Sequence, residues 1–425
     1  MRRHLIALVT IALVAAACSS GGDDEATAST TTTSTVADAS TTSTTPSTTS
    51  STTTTTTAAP VELPVFDDEP CGNVTPDPFG GSYADLFARW QAQVDAAPFE
   101  SGRPVFVGSS SIRLWSGLQS EFSDWAPIQR GFGGAVIWEV AWATEHLVAA
   151  HDPSALVIFA GTNDFALGAA VGPTFDGYRC IIEKVRRDVG DIPIAMIAIT
   201  PAPSRADHWP VVEEWHALVE ELTAEYSGLS FVDAREAFLP GGEPDPSLFI
   251  ADQLHLNEDG YAIWNEIVRE SLAEVIPTFE PVAPPVEQAV FRIDFGVDPE
   301  GLDASPWNLV PSAEGGRLTP GEQWFLMDAN GGVTTQARLV VAEWNMTTTP
   351  SGEGVWVRPQ APGGFTIENL VPGTSVLVTP VLEAGAAGDQ SSWEADVDAY
   401  GRAHIAFGSV GAEPTELDAL EIEVG

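Results

Sequence analysis

"VFVGSSSIRLW", residues 105–115, decides the fold class. A short apolar, β-rich run stops at Gly108, and three serines then head a pattern with helical spacing. A strand that turns straight into a helix leaves its next side chains at the carboxyl end of a sheet, where open α/β folds place ligands. Two readings of Ser109, Ser110 and Ser111 stand on these residues alone. They cap the helix, since serine oxygens accept from the unpaired N–H groups of a first turn, although capping needs one hydroxyl and not three. Or one of them is a nucleophile, which requires partners elsewhere in the chain.

Between about Asp77 and Pro277, apolar β-rich runs alternate with helical patterns. "PVFVG" (104–108), "ALVIFAG" (155–161), "PIAMIAIT" (193–200) and "LSFVDA" (229–234) read as strands buried on both faces. Segments near 136–150, 174–189, 210–226 and 260–276 carry apolar residues at helical spacing. This alternation predicts an α/β fold with a parallel sheet between two helical layers, and active residues at the strands' carboxyl ends. Two such ends, and the approach to the last helix, hold unusual residues. "RGFGGA" (130–135) follows the second β-like run, and its glycines free the backbone to point an N–H at a ligand. "GTND" (161–164) sets a side-chain amide after the third. "DQLH" (252–255) stands just before the last helix, with a carboxylate three residues ahead of an imidazole that it can orient.

Taken in this order over about 200 residues, "GSS", Gly134, "GTND" and "DQLH" resemble the four blocks of the SGNH hydrolases, the GDSL esterase/lipase family. The resemblance implies a three-layer, flavodoxin-like α/β/α fold and a serine esterase. The family's first block reads Gly-Asp-Ser, so the alignment selects Ser110 as nucleophile, with Ser109 at the Asp position and as the runner-up. The same resemblance makes His255 the base and Asp252 its partner, and assigns the oxyanion hole to the N–H groups of Ser110 and Gly134 and the amide of Asn163. No metal and no cofactor is implied. Arg205, in "TPAPSRADHW", falls in a loop like a substrate-side segment of some relatives, with a solvated loop as the alternative. His208 and His216 have no evident partners in the sequence.

The N-terminus is of another kind. Arg2 and Arg3 precede an apolar run, Leu5 to Ala17, too short to span a bilayer, and the pattern is that of a secretory signal. "VAAAC" resembles a lipobox ending at Cys18, with Ala15 in place of the usual leucine. Residues 1–18 are thus expected to be a lipoprotein signal with its lipidated cysteine, the alternative being an ordinary signal peptide. Residues 19–62, rich in Thr and Ser, cannot bury enough apolar surface to fold and form a tether. The chain is expected to be exported and held to the membrane, facing outward, by lipid alone. Two cysteines remain, Cys71 and Cys180, and in an oxidising compartment they suggest one disulfide, with two separate buried thiols as the alternative.

Of the ionisable residues 60 are acidic and 18 basic, a net charge of −42. Nucleic acid is excluded as a partner, because its recognition needs basic patches. After the α/β segment (63–277), "PTFEPVAPPVEQ" leads through a Pro-rich linker (278–289) into short alternating runs from 290 to 425. These read as an all-β sandwich and look like malectin-like or galactose-binding-like domains. In such domains Trp324, Trp344, Trp356 or Trp393 could stack on sugar, while burial is the default for tryptophan. The function expected is a surface esterase that removes acyl groups such as acetyl from a glycan. The alternatives are a lipolytic esterase or lysophospholipase, which should show an apolar rim around its site, and a non-catalytic glycan-binding lipoprotein. The sequence leaves the oligomeric state open.

Overall fold

Strand residues that alternate between two apolar layers build the core. In the computed structural model β1 (Val105–Gly108), β2 (Ile128–Gly131), β3 (Leu156–Phe159), β4 (Ile194–Ile197) and β5 (Leu229–Val232) form one sheet in the order β2-β1-β3-β4-β5. Every pairing in it is parallel. The structure describes residues 61–73, 83–96 and 98–294, and beyond them 307–309, 323–328, 333–341, 346–348, 355–357, 363–381, 393–407, 415–417 and 419–424. Cys18 and the segment 1–60 lie outside the described residues.

The helices are α1 (Ala84–Ala96), α2 (Ser110–Arg113), α3 (Leu118–Glu121), α4 (Ile137–Leu147), α5 (Thr162–Ala166), α6 (Val171–Asp188), α7 (Trp209–Glu225) and α8 (Glu258–Leu272). Val105, Val107, Ile158 and Met196 face a layer made with Phe87, Trp90, Val140, Ile181 and Trp215, from α1, α4, α6 and α7. Phe106, Val157, Phe159 and Ile197 face the opposite layer, with Ile112 of α2, Trp115 and Phe122 just beyond α2 and α3, and Trp264 and Val268 of α8. The period-two alternation of a strand thus fills two separate cores, and the result is a three-layer α/β/α unit.

Cys71 and Cys180 are joined, with α-carbons 4.8 Å apart and 109 residues between them. The bond ties the chain entering this unit to α6, where Arg179 pairs with Asp68 as well.

The C-terminal part consists of small, mostly antiparallel sheets of three, four and five strands. Alternate residues such as Phe291, Val376, Val378, Phe365, Ile367 and Ile405 are buried, as a β unit requires. Trp344 lies outside the described residues, as do the side chains of Trp324, Trp356 and Trp393.

Residues 58–425 form one compact unit, and the contacts joining its two parts are specific. Residues 279–286 bond to both sides: Phe279 N–H donates to Asp124 O, Val282 and Ala283 N–H to Glu100 Oε1, and Val286 N–H to Asn369 O. At the centre the Arg103 guanidinium holds Glu368 in a fork of 2.7 and 2.8 Å, donates from Nε to Ala126 O at 2.6 Å, and lies 4.4 Å from the ring centre of Phe99. Arg402 donates to Ser123 O nearby. Arg103, Arg402 and Glu368 are all buried. Arg103 and Ala126 each stand two residues before a strand, so the β unit is docked at the amino ends of the strands. The length of β1, about 13 Å at 3.3 Å per residue, separates this junction from the carboxyl ends.

A buried pair is costly to break and cheap to replace whole, because loss of one partner strands a desolvated charge. Glu368→Ala should lower stability in urea unfolding by about 3 kcal/mol. Replacing the whole buried cluster, Arg103→Met with Glu368→Leu and Arg402→Met, should recover most of that loss. Equal losses in the single and triple variants would show that the charges do not act as a unit.

Candidate active site

The turn from β1 into α2 depends on Gly108, at φ +145°, where a Cβ would lie 2.0 Å from Phe159 O. The next residue, Ser109, is buried, with its N–H donated to that same oxygen at 2.9 Å and with no side-chain capping bond to α2. Ser110 therefore opens α2 partly exposed, beyond the end of the sheet. Two side chains hold this four-residue helix from outside. Tyr261 Oη donates to Ser111 O at 2.8 Å, and Gln129 Nε2 donates to Ile112 O at 2.6 Å.

Loop 250–255 brings up the partners. Asp252 Oδ1 accepts the N–H groups of Leu254 (2.9 Å) and His255 (3.0 Å), which closes an Asx-type turn through Gln253 at φ +57°. Ile250 N–H donates to His255 O at 2.8 Å, and Ser204 N–H to Gln253 O at 3.0 Å. The fixed ring reaches both neighbours: His255 Nδ1 lies 2.6 Å from Asp252 Oδ2, and Nε2 lies 2.8 Å from Ser110 Oγ. With the proton on Nδ1, shared with the carboxylate, Nε2 is left to accept the serine hydroxyl. Burial raises the Asp252 pKa, but the N–H bond of His255, its ring and the N–H of Leu254 outweigh it, so the carboxyl stays below its ordinary value and ionised.

Donors converge from two further strand ends. Asn163, in α5 after β3, donates from Nδ2 to Ala135 O at 2.9 Å, and the second amide hydrogen stays available. Gly134, after β2, is at φ +85° and exposed. Among the described residues its N–H and that of Ser110 donate to no protein acceptor. Ser110, Gly134, Asn163, Asp252 and His255 are thus brought to one place. Arg205 lies in the turn 203–208, which packs against α5 and, through Ser204, is bonded to the loop of His255. His216 is elsewhere: its buried ring accepts Ile199 N–H at 2.9 Å and is pushed down to about 3, chiefly by burial and then by Arg235. It is a structural acceptor. Among the described residues no cluster of His, Cys, Asp and Glu could hold a metal ion.

Residues 79–263 match the model of the GDSL-like Lipase/Acylhydrolase family. This part of the chain is similar to GDSL-type acylhydrolases. Among solved structures, a GDSL-like lipase from Bacteroides thetaiotaomicron is 20% identical over 45% of this chain and 96% of that one, with a TM-score of 0.38. A lipase/acylhydrolase from Enterococcus faecalis is 18% identical over 42% and 100%, TM-score 0.36. A family 3 carbohydrate esterase from Clostridium thermocellum is 16% identical over 42% and 98%, TM-score 0.34. No curated protein matches the chain by sequence.

Several residues that shape the candidate site were given no role in the sequence reading: Tyr83, Gln129, Glu139, Tyr261 and Asp164, the last residue of the "GTND" block. Two are buried carboxylates that hold the start of α4, Glu139 from within it and Asp164 from α5. Glu139 Oε2 accepts Val136 N–H at 2.9 Å, and Asp164 accepts Ile137 N–H at 3.1 and 3.2 Å. Burial first, and then the charge of Glu139, push the Asp164 carboxyl up to about 7 against the opposing N–H bond. The folded protein therefore keeps a proton that the unfolded chain releases near pH 4, and this contribution to stability is lost as pH rises through 7. Asp164→Asn should gain stability relative to the wild-type protein as pH rises from about 4 to about 7. A constant difference in unfolding midpoint across that window would contradict it.

Proposed function

We propose that the chain is a serine esterase whose Ser110 attacks the ester carbonyl. The observation that carries this reading is the unbroken chain Ser110 Oγ, His255 Nε2, His255 Nδ1, Asp252 Oδ2, with steps of 2.8 and 2.6 Å. As Ser110 Oγ forms its bond to the carbonyl carbon, His255 Nε2 takes the hydroxyl proton and Asp252 stabilises the imidazolium. The carbonyl oxygen becomes an oxyanion, received by the N–H groups of Ser110 and Gly134 and an Asn163 amide hydrogen. Each such donor is worth about 3 kcal/mol to the transition state. His255 returns the proton to the departing alcohol, the C–O bond breaks, and water hydrolyses the acyl-serine by the reverse sequence.

For the substrate we propose an acylated carbohydrate with a short acyl group such as acetyl. The surroundings of the site support a polar alcohol: Ser204, Asp207 and Asp252 are exposed, and Arg205 lies beside them as a candidate substrate contact. A lipid-facing rim would be broadly apolar, and among the described residues only Leu167 and Ile250 are exposed large apolar side chains close in sequence to Asn163 and Asp252. The β unit, docked at the amino ends of the strands, adds nothing to the acyl-transfer machinery on this reading. Export, lipidation at Cys18 and outward anchoring complete the proposal, supported by the signal-like terminus and the disulfide.

Ser110→Ala should lower kcat on p-nitrophenyl acetate by on the order of a millionfold with the fold intact, and Ser109→Ala far less. Equal losses would refute the choice of Ser110. Preference for p-nitrophenyl acetate over the palmitate ester, with acetate released from acetylated xylan, supports the carbohydrate reading. The reverse preference would favour the lipolytic one.

A further inference from the structure

We propose that Tyr83 is a positioning residue of the oxyanion hole, and that it acts by locking the peptide between Gly133 and Gly134 against rotation. Its hydroxyl donates to Gly133 O at 2.8 Å. That carbonyl and the Gly134 N–H belong to one peptide group and point in opposite directions across its plane. A bond that holds the oxygen on one side therefore aims the N–H on the other. It also polarises the peptide, making the N–H a stronger donor.

The neighbouring peptides are held independently of Tyr83. Ala135 O accepts from Asn163 Nδ2, Val136 N–H donates to Glu139, and Ile137 N–H donates to Asp164. The 133–134 peptide is different because it is flanked by two glycines, whose backbone rotates at little steric cost. A half-turn of that plane would remove the N–H from the hole and present a carbonyl oxygen to an oxyanion. Its own two polar groups have one protein bond among the described residues, the one to Tyr83. Tyr83 in turn is fixed by Phe132, edge-on at 4.8 Å between ring centres, and by Phe87 at 6.0 Å. It stands at the entry to α1, and a Cβ on Gly134 would approach its hydroxyl to 3.5 Å.

The inference rests on Ser110 as nucleophile and on Gly134 as a donor, and its test separates the two layers. Tyr83→Phe removes one oxygen and keeps the ring contacts. On p-nitrophenyl acetate kcat should fall about 10- to 100-fold, somewhat less than for outright loss of a donor, with KM within about twofold and the pH profile unmoved. Phenylboronic acid probes the same hole: its boron takes the Ser110 oxygen, the hydroxyl proton passes to His255, and a tetrahedral anion results. Its inhibition constant should rise by the same factor as kcat falls. Val219→Ala, which loosens the same core layer from α7, should lower the melting temperature and leave kcat unchanged. The proposal is overturned if Tyr83→Phe keeps kcat within about threefold, if boronate inhibition does not weaken, or if Val219→Ala reproduces the loss of kcat. Failure of the boronate to inhibit the wild-type protein at all would instead count against Ser110.

Discussion

Phe159 O fills the space that a side chain on Gly108 would need, and the site is organised around that close approach. The oxygen accepts Ser109 N–H and so draws the end of β1 onto the end of β3. Ser110 and Asn163, which follow those two ends, then share one mouth. With any Cβ at 108 the strands would have to part, and the hydroxyl would leave the reach of His255. The geometry is thus set by backbone packing before any catalytic side chain takes part. A main-chain bond at residue 109 braces the turn, while the serine side chain there is buried.

The two ends of the sheet are held by different physics. At the amino ends Arg103, Arg402 and Glu368 are taken out of water and tie the β unit down through direct charge pairing. At the carboxyl ends most of the organising bonds run to main-chain groups: Tyr83 to Gly133, Asn163 to Ala135, Glu139 and Asp164 to the start of α4, Tyr261 and Gln129 to α2. Fixed dipoles of this kind need not reorganise when an oxyanion forms, which is where a preorganised site has its advantage.

Much of this was legible in the sequence. The strands at 105–108, 156–159 and 194–197 are apolar on both faces, and only a sheet covered on both sides can bury such runs. Ser110, Gly134, Asn163, Asp252 and His255 were singled out by the resemblance of four short blocks to the GDSL family, and the fold sets Ser110, His255 and Asp252 in hydrogen-bond contact. Tyr83, Glu139 and Asp164 were not singled out. They act on main-chain atoms distant in sequence, and nothing local marks a tyrosine or a carboxylate that will meet a carbonyl or an N–H only after folding. The attachment of the β unit was hidden for the same reason, since 265 residues separate Arg103 from Glu368.

The central claim is that Ser110, alone of the three adjacent serines, is activated by His255. An active-site fluorophosphonate tests it most directly, because the phosphorus accepts only a serine oxygen whose proton is being removed. After reaction of the intact protein and proteolysis, peptide mass spectrometry should find a single phosphonyl group on Ser110. Modification at Ser109 or Ser111, or none in a folded protein, would contradict the account.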